Sequence, residues 1–253
     1  MATLPPQTIT RKIYKPSLNV GQVYARAYGS SGLMLPVGNV LSLEVNHTED
    51  VQQQPDMTRL GGGVYAEVRR VKEAQIAIKF ADFNVVNLAR ATLSTVSEAD
   101  AGNVTDQPVT LHKGGLIPLP HIAISTVVLK VGTDPITAAG NYEVRPEGIY
   151  VLDDAPDIDD ADAGTLSYSY AGQAVLEALT TKASELQLRF GGLNEADEGK
   201  PVIVDVWRAS QSVAKTLGLL TGKFGELDVT GTMLADPTRT GAGISRYYRT
   251  TMV

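Results

Sequence analysis

The stretch VLSLEVNHTEDVQQQPDMTRLGGGVYAEVRRVKEAQIAIKFADFNVVNLARATL, residues 40–93, decides the fold, because two strand patterns and a helix pattern follow one another in it. Residues 40–50 alternate apolar and polar side chains, which is typical of a half-buried strand. Residues 64–80 are rich in β-branched side chains, and a β-bulge is expected near Val71–Glu73. Between the two strands, the glutamine- and glycine-containing residues 48–63 predict a long flexible loop.

The helix predicted over residues 82–93 is the one helix that the sequence indicates. Phe83, Val86 and Leu93 recur at helical spacing, and Asp82 is suited to cap the first turn by accepting a backbone N–H. A helix this short needs a packing partner. The face that carries Phe83 and Val86 is therefore expected to be buried.

The rest of the chain is dominated by strand patterns and turns. Residues 1–37 are interpreted as an N-terminal arm with loops, 38–236 as the main β domain and 237–253 as a C-terminal arm. Within the domain, residues 121–182 form a β meander that is expected to be an insertion, and residues 99–110 are expected to be a loop. The predicted fold class is mainly β, a barrel or sandwich with one short α-helix, a long loop and two arms.

The composition excludes several classes of protein. The 253 residues include 22 Lys and Arg against 28 Asp and Glu, and the basic residues are scattered. Such a chain does not attract nucleic acid or anionic lipid, which need clustered positive charge. The chain has no cysteine, which excludes disulfides and zinc–thiolate sites. It has neither a signal-peptide pattern nor a run of roughly 20 apolar residues, so we expect synthesis in a cytoplasm and no membrane insertion.

The segment VLDDAPDIDDADAG, residues 151–164, holds six aspartates. A calcium-binding EF-hand loop needs oxygen ligands at its first, third and fifth positions and a glycine at its sixth. A loop that begins at Asp157 has Ala161 and Asp162 at its fifth and sixth positions. Strand patterns on both sides favour a solvated hairpin loop. A calcium site and a paired-carboxylate active site remain as alternatives.

No catalytic motif is found in the sequence. His47, His112 and His121 lack metal-ligand spacing, and there is no G-x-S-x-G nucleophile elbow. The glycine-rich GGGVYA, residues 61–66, precedes a strand, whereas a dinucleotide site follows one. We therefore expect neither enzymatic activity nor a bound cofactor or metal.

The order of these elements resembles the major tail tube proteins of long-tailed, siphovirus-type bacteriophages. The resemblance is carried by residues 40–93, by NYEVRPEGIYVLDDAPDIDDADAGTLSYSY (141–170), by LQLRFGGLNEADEGKPVIVDVWRASQSV (186–213) and by FGELDVTGTMLADP (224–237). It covers residues 38–236 as a pattern of elements and short phrases.

The resemblance implies a structural virion protein that forms homo-hexameric rings stacked into a tail tube. The implied partners are a tape-measure protein in the lumen and the tail terminator and distal tail proteins, with double-stranded DNA passing through non-specifically. Assembly would take place in the host cytoplasm. The residues expected at subunit contacts are Gln52, Gln53, Gln54, Met57, Leu60, Phe83, Val86 and Leu93.

Two alternatives to this function stay open. One is the tube of a contractile injection system. The other is a calcium- or carbohydrate-binding β-sandwich module that uses the aspartate-rich loop 153–162.

Overall fold

A computed structural model describes residues 16–220 and 222–253. The described chain is mainly β with a single α-helix, which confirms the predicted fold class at that level. Contacts divide it into a larger unit, up to Thr95 and from Ala178 onward, and an inserted unit, Val96–Glu177. The inserted unit thus includes residues 96–120, which lie outside the predicted insertion 121–182. No helix in the described ranges is long and apolar enough to cross a membrane.

The larger unit is built on an eight-stranded antiparallel sheet. The elements of the unit are β1 (Asn19–Ala27), β2 (Leu35–Pro36), β3 (Val40–Pro55), β4 (Val64–Phe80), helix α1 (Val85–Thr92), β14 (Glu185–Asn194), β15 (Lys200–Gln211), β16 (Leu227–Met233) and β17 (Tyr248–Met252). The strands of the sheet follow the order β2-β1-β14-β15-β16-β4-β3, and β17 also pairs with β15. The sheet is open, so closure into a barrel is not seen in a single chain.

The core of the larger unit lies on one face of this sheet, under α1. Alternate side chains of neighbouring strands point to the same face, so they bury a continuous apolar layer. The buried residues of this layer are Val23, Ala25, Val37, Ala74, Ile76, Ile78, Phe80, Ala91, Leu186, Leu188, Val206, Ala209, Leu227, Val229 and Met233.

Both predicted arms contribute strands to the sheet wherever the structure describes them. Residues 1–15 of the predicted N-terminal arm lie outside the described ranges, but β1 pairs with β14 along its length and buries Val23 and Ala25. In the predicted C-terminal arm, β17 pairs with β15. The interpretation of residues 16–37 and 237–253 as arms is therefore wrong for these strands, because backbone pairing ties them to the sheet.

The predicted loop 48–63 is wrong, because most of it is strand. β3 continues to Pro55, β4 begins at Val64, and the two strands pair along the whole hairpin. Only residues 56–63 form the turn. The bulge predicted near Val71–Glu73 is confirmed, since the register shifts where Thr48 pairs with Glu73 and Glu49 with Val71.

The helix α1 begins later than predicted. Asn84 is its N-cap, and the Asn84 side chain accepts a hydrogen bond from the Asn87 N–H at 2.8 Å. Asp82 instead accepts a hydrogen bond from the Asn39 N–H at 2.7 Å and ties the preceding turn to the strand β3. The prediction of Asp82 as the cap is therefore wrong.

The buried face of α1 also differs from the prediction. Its buried residues are Asn87 and Ala91, whereas Phe83 and Val86 are 42% and 55% exposed. The amide of Asn87 is satisfied by donating to the Val37 carbonyl at 2.6 Å. A small polar residue is accommodated there because its hydrogen bond offsets the cost of burial.

The inserted unit has its own sheets and core. Its elements are β5 (Thr95–Ala99, whose first residue belongs to the larger unit), β6 (Gly102–Leu111), β7 (Leu116–Pro118), β8 (Ile124–Val131), β9 (Asp134–Ile136), β10 (Tyr142–Arg145), β11 (Gly148–Val151), β12 (Asp162–Tyr170) and β13 (Gln173–Glu177). One sheet has the order β10-β11-β7, another β6-β12-β8-β9, and β13 pairs with β5.

Two predictions for this unit are corrected. Residues 102–111 are the strand β6 and not part of a loop. The expected meander is divided, because β10 and β11 pair in one sheet while β12 pairs with β6 and β8 in another. The buried side chains of the unit's core are Leu111, Leu129, Tyr142, Ile149, Val151, Ala155, Ile158, Leu166 and Tyr168.

Candidate assembly surfaces

The outer half of the β3–β4 hairpin has no third strand beside it in the described chain. Here Thr48–Pro55 pairs with Val64–Glu73, and every residue of both segments except the half-buried Glu73 is exposed. The exposed apolar side chains of this half are Val51, Val64, Tyr65, Val68 and Val71. A two-stranded ribbon is marginally stable by itself in water. This one would therefore gain stability from a packing partner.

A polar network lies on one face of this hairpin half. Arg69 donates to Glu67 and, at 3.3 Å, to Glu49, and Gln53 donates to Glu67 at 2.6 Å. The hydrogen bond from Arg69 is the main reason that the pKa of Glu67 lies below its usual range. These cross-strand contacts hold the register of a ribbon that has no buried face to specify it.

The turn of the hairpin is ordered by Asp56. Its carboxylate accepts hydrogen bonds from the Thr58 N–H at 2.9 Å, the Thr58 hydroxyl at 2.6 Å and the Arg59 guanidinium at 3.0 Å. The bonds from Thr58 lower the pKa of Asp56. The turn then presents Met57 and Leu60, 85% and 103% exposed, at the tip. We call the exposed apolar residues Met57, Leu60, Val64 and Tyr65 the tip surface.

A second apolar surface lies at the opposite end of β4. Its exposed apolar residues are Phe83, Val85 and Val86 at the start of α1, and the neighbouring loop before β16 carries the exposed Leu219, Leu220 and Phe224. The loop reaches Phe83, since a Cβ built on Gly225 would lie 3.0 Å from that ring. We call these six residues the base surface.

The single strand β4 separates the tip surface from the base surface. β4 runs without interruption for 17 residues, from Val64 at the tip to Phe80 just before α1. At about 3.3 Å per residue, the two surfaces are roughly 50 Å apart.

The residues expected at subunit contacts fall in three places. Gln52, Gln53 and Gln54 are exposed on the strand β3, not on a loop, while Met57 and Leu60 belong to the tip surface and Phe83 and Val86 to the base surface. Leu93 is half-buried and forms the C-cap of α1 in the left-handed conformation, with φ of 53°. Helical spacing placed it on the contact face, but the helix has already ended there.

The aspartate-rich loop joins two sheets of the inserted unit and is not a hairpin loop. It leads from β11 to β12, which do not pair with each other, and it buries Ala155 and Ile158 in the unit's core. The predicted hairpin is wrong because the loop's apolar residues anchor it as a crossing between sheets.

Three of the six aspartates have structural roles in this loop. Asp157 exchanges hydrogen bonds with the buried Asn141, at 2.9 and 3.0 Å. Asp160 lies 3.0 Å from the His112 ring, and Asp162 accepts from a backbone N–H in the loop. Within the described ranges, no group of three or more His, Cys, Asp or Glu side chains converges to hold a metal ion. Asp157, Asp160 and Asp162 therefore have structural roles within the loop.

A small cavity lies between α1 and the sheet. Its volume is about 30 Å³, and Ile76, Asn87 and Arg90 are among its lining residues. Burial lowers the pKa of the Arg90 guanidinium there. Substrate pockets are typically about 300–1,000 Å³, so this cavity is too small for one.

The charge of the chain is divided unevenly between the two units. The inserted unit, Val96–Glu177, carries 3 Lys and Arg against 13 Asp and Glu, a net charge of −10. The remaining sequence carries 19 against 15, a net charge of +4. The acidity of the whole chain is thus a property of the inserted unit alone.

Comparison with known families places the chain in one of them. The family model described as "Protein of unknown function UCP028589" matches residues 16–251, nearly the whole chain. The protein therefore belongs to that family. No curated protein matches the chain.

Proposed function

We propose that the protein is a structural virion protein, the tube subunit of a siphovirus-type phage tail, which self-assembles into stacked hexameric rings. The observation that carries this proposal is the outer half of the β3–β4 hairpin, where residues 48–55 and 64–72 form a ribbon that is exposed on both faces. An exposed ribbon with apolar side chains is a feature that association with another chain would stabilise.

The positions of the two apolar surfaces support head-to-tail association. A surface that meets a different surface on the neighbouring copy makes a heterologous contact, which generates closed rings or open filaments. The tip and base surfaces lie at opposite ends of β4, so a tip of one copy can meet the base of the next. Each contact would cover the apolar residues of both surfaces.

The free edge of β3 offers a second mode of association. Within the described chain β3 pairs only with β4, which leaves one edge of a 16-residue strand without hydrogen-bond partners. Exposed edges of this length are templates for strand pairing between chains. Pairing around a ring would extend the open sheets of the single subunits into one continuous β wall.

The remaining parts of the proposal follow from the resemblance to tail tube proteins. The tube would form around a tape-measure protein, end at the tail terminator and distal tail proteins, and conduct double-stranded DNA. The chain would reside in the tail of the virion after assembly in the host cytoplasm.

Electron microscopy of the purified protein over a concentration series tests the proposal. Rings or hollow tubes are expected from the natural sequence. The double variant Met57→Ser/Leu60→Ser should fail to form them, because it removes the tip surface. Leu33→Ser is the matched control, since Leu33 is 87% exposed but belongs to neither surface. A persistent monomer of the natural sequence would overturn the proposal, whereas tubes of normal yield from the double variant would show that the tip surface is not part of the subunit contact.

A mixing experiment tests the head-to-tail pairing separately. Phe83→Asp/Val86→Asp removes the base surface, so this variant and the tip variant should each stay monomeric. When they are mixed, one intact tip can meet one intact base, and sedimentation should show a one-to-one dimer. If the mixture stays monomeric, the tip-to-base contact is refuted.

A further inference from the structure

The face of the main sheet opposite its core carries a cluster of arginine and aromatic side chains. On β15, Asp205 and Trp207 alternate with the core-facing Val204 and Val206, so they point to this other face. Both are buried, with Asp205 and Trp207 each 5% exposed. The segment after β16 crosses this face, and the backbone N–H of Trp207 donates to the Tyr247 carbonyl at 3.0 Å.

Asp205 is held between two arginines. Register places Arg189 of β14 and Arg249 of β17 on either side of it. The guanidinium of Arg249 lies 3.1 Å from the Asp205 carboxylate and that of Arg189 lies 3.5 Å from it. One buried carboxylate thus faces two cations, and the surrounding surface keeps an excess of positive charge.

Two donor groups beside this triad lack an acceptor. The Arg239 guanidinium stacks 3.4 Å from the centre of the Trp207 ring and makes no side-chain hydrogen bond to the described chain. The Trp207 Nε1–H is buried and is the one buried side-chain nitrogen or oxygen atom without a hydrogen-bond partner in the described ranges. Because both groups are donors, the chemistry that would satisfy them is an oxyanion such as a carboxylate.

Further arginines extend this positive surface. Arg26 lines a surface depression of about 340 Å³ together with Trp207 and Arg239. Arg208 makes a bidentate ion pair with Glu185, at 2.6 and 2.7 Å. We call Arg26, Arg189, Arg208, Arg239 and Arg249 the arginine face.

The carboxylates near the arginine face do not neutralise it. Asp236 is the third of them, beside Glu185 and Asp205. Burial opposes its ionisation, but hydrogen bonds from Thr238 and Tyr28 outweigh that effect and hold the pKa of Asp236 below its usual range. Asp236 is therefore already ionised and satisfied by its own partners. Five guanidiniums against three carboxylates leave the face positive.

The inserted unit offers the complementary chemistry. Asp153, Asp154 and Asp159 of the aspartate-rich loop are exposed, and their carboxylates accept no hydrogen bond from the described chain, unlike those of the other three aspartates of the loop. Close carboxylates repel one another by about 1 kcal/mol per pair in water, and a cationic surface relieves that repulsion.

We infer that the arginine face of one copy binds the aspartate-rich loop of a second copy, with Arg239 as the receiving guanidinium. This inference rests on the proposed function, since it requires copies to associate. Charge complementarity between the arginine face, with its five guanidiniums against three carboxylates, and the inserted unit, with a net charge of −10, carries the choice of partner. Nucleic acid is the less suitable partner, because the Trp207 ring is already covered by Arg239 and offers no free face for a base to stack on.

Zero-length cross-linking with a carbodiimide tests the contact in the full-length protein. The variant Arg239→Lys places an amine at the arginine face, and the reagent joins an amine only to a carboxylate in direct contact. Equal amounts of isotopically light and heavy protein are mixed before assembly, and cross-linked peptides are identified by mass spectrometry. The control variant Asp153→Asn/Asp154→Asn/Asp159→Asn keeps the shape of the loop and removes the reacting groups.

The expected result is a light–heavy cross-link between position 239 and the loop. Its yield should fall at least tenfold in the control variant and several-fold at about 0.5 M salt, since exposed charges are screened. Cross-links found only within one isotope, or none in preparations that show rings by microscopy, would refute the inference and leave the proposed function standing. Absence of any assembly would refute both.

A binding assay with fluorescent DNA examines the rival partner. Natural protein that binds a short duplex or single strand, with at least a tenfold loss in Arg239→Glu, would assign the arginine face to nucleic acid and overturn the inference. No binding of either DNA, together with the light–heavy cross-link, supports the loop as the occupant.

Discussion

Replacing Ile158 with alanine tests whether the aspartate-rich loop is part of a folded core or a solvated connection. Ile158 is 1% exposed and packs among the buried residues of the inserted unit. The sequence alone favours a solvated loop, in which the substitution would be almost neutral. The structure makes the opposite prediction.

The expected cost of Ile158→Ala follows from the atoms that are removed. Alanine lacks three carbon atoms of the isoleucine side chain, and at about 0.8 kcal/mol for each buried carbon the lost transfer free energy is about 2.4 kcal/mol. A cavity that does not collapse adds to this cost, so the free energy of unfolding of the inserted unit should fall by about 3–4 kcal/mol.

Hydrogen exchange read by peptide mass spectrometry is the suitable assay, because it separates the two units. A loss of about 3 kcal/mol should speed exchange of the protected amides in Val96–Glu177 by roughly a hundredfold. Peptides of the larger unit should change little. Fluorescence of Trp207, the single tryptophan, gives a second reading of the larger unit.

The neighbouring substitution Asp159→Ala serves as the control. Asp159 is exposed and uses only its backbone N–H and carbonyl groups in the loop, which alanine retains. Exchange should therefore stay within about threefold of the natural protein. If Ile158→Ala behaves like Asp159→Ala, the loop is solvated and the core assigned to the inserted unit is wrong.

Three other measurements test separate parts of the structure. Gly21→Ala should lower the free energy of unfolding of the larger unit, measured in urea, by at least about 2 kcal/mol, because the added Cβ meets the carbonyl oxygen of Gly191. Gly191→Ala is the control and should be nearly neutral in the same assay, because there is open space around its Cβ. Calcium at about 5 mM, compared with chelator, should not shift the melting temperature, and a rise of several degrees would restore the calcium-binding alternative. The hydrogen bond from Arg208 lowers the pKa of Glu185 from 4.5, so the ion pair stabilises the fold above pH 4.5 and this contribution is lost as the pH falls through the lowered value. Below pH 4.5, the melting temperature of Glu185→Gln should therefore depend less on pH than that of the natural protein. Parallel curves for the two proteins would contradict this.

Sequence patterns predicted the fold where one face of a strand is buried. The strand predicted over residues 64–80 was found as expected, and its second half buries the alternate side chains Ile76, Ile78 and Phe80. The outer hairpin was missed because neither of its faces is buried in the single chain, so residues 48–55 carry no apolar alternation. The strand β6 was missed for another reason, since Pro108 and a break in register interrupt it. Proline is tolerated there because β6 is an edge strand.

The candidate surfaces were predicted only in part. Met57, Leu60, Phe83 and Val86 were all expected at subunit contacts, and all four are exposed, but Phe83 and Val86 were also expected on the buried face of the helix. Side-chain identity alone does not distinguish an apolar face that packs against its own sheet from one left open for another chain. The arginine face could not be predicted, because its members come from four strands and from the segment after β16, which are brought together only in the folded sheet.

The uninterrupted strand β4 has a consequence for how the length of such a subunit can change. Because side chains alternate sides along a strand, inserting a single residue would turn every apolar group beyond it to the wrong side. Inserting two residues keeps each group on its side and lengthens the spacing by roughly 6.6 Å. A matching pair must also enter β3 to preserve the ladder. The regular ladder of the hairpin can thus be lengthened in steps of two residues per strand, added to both strands together.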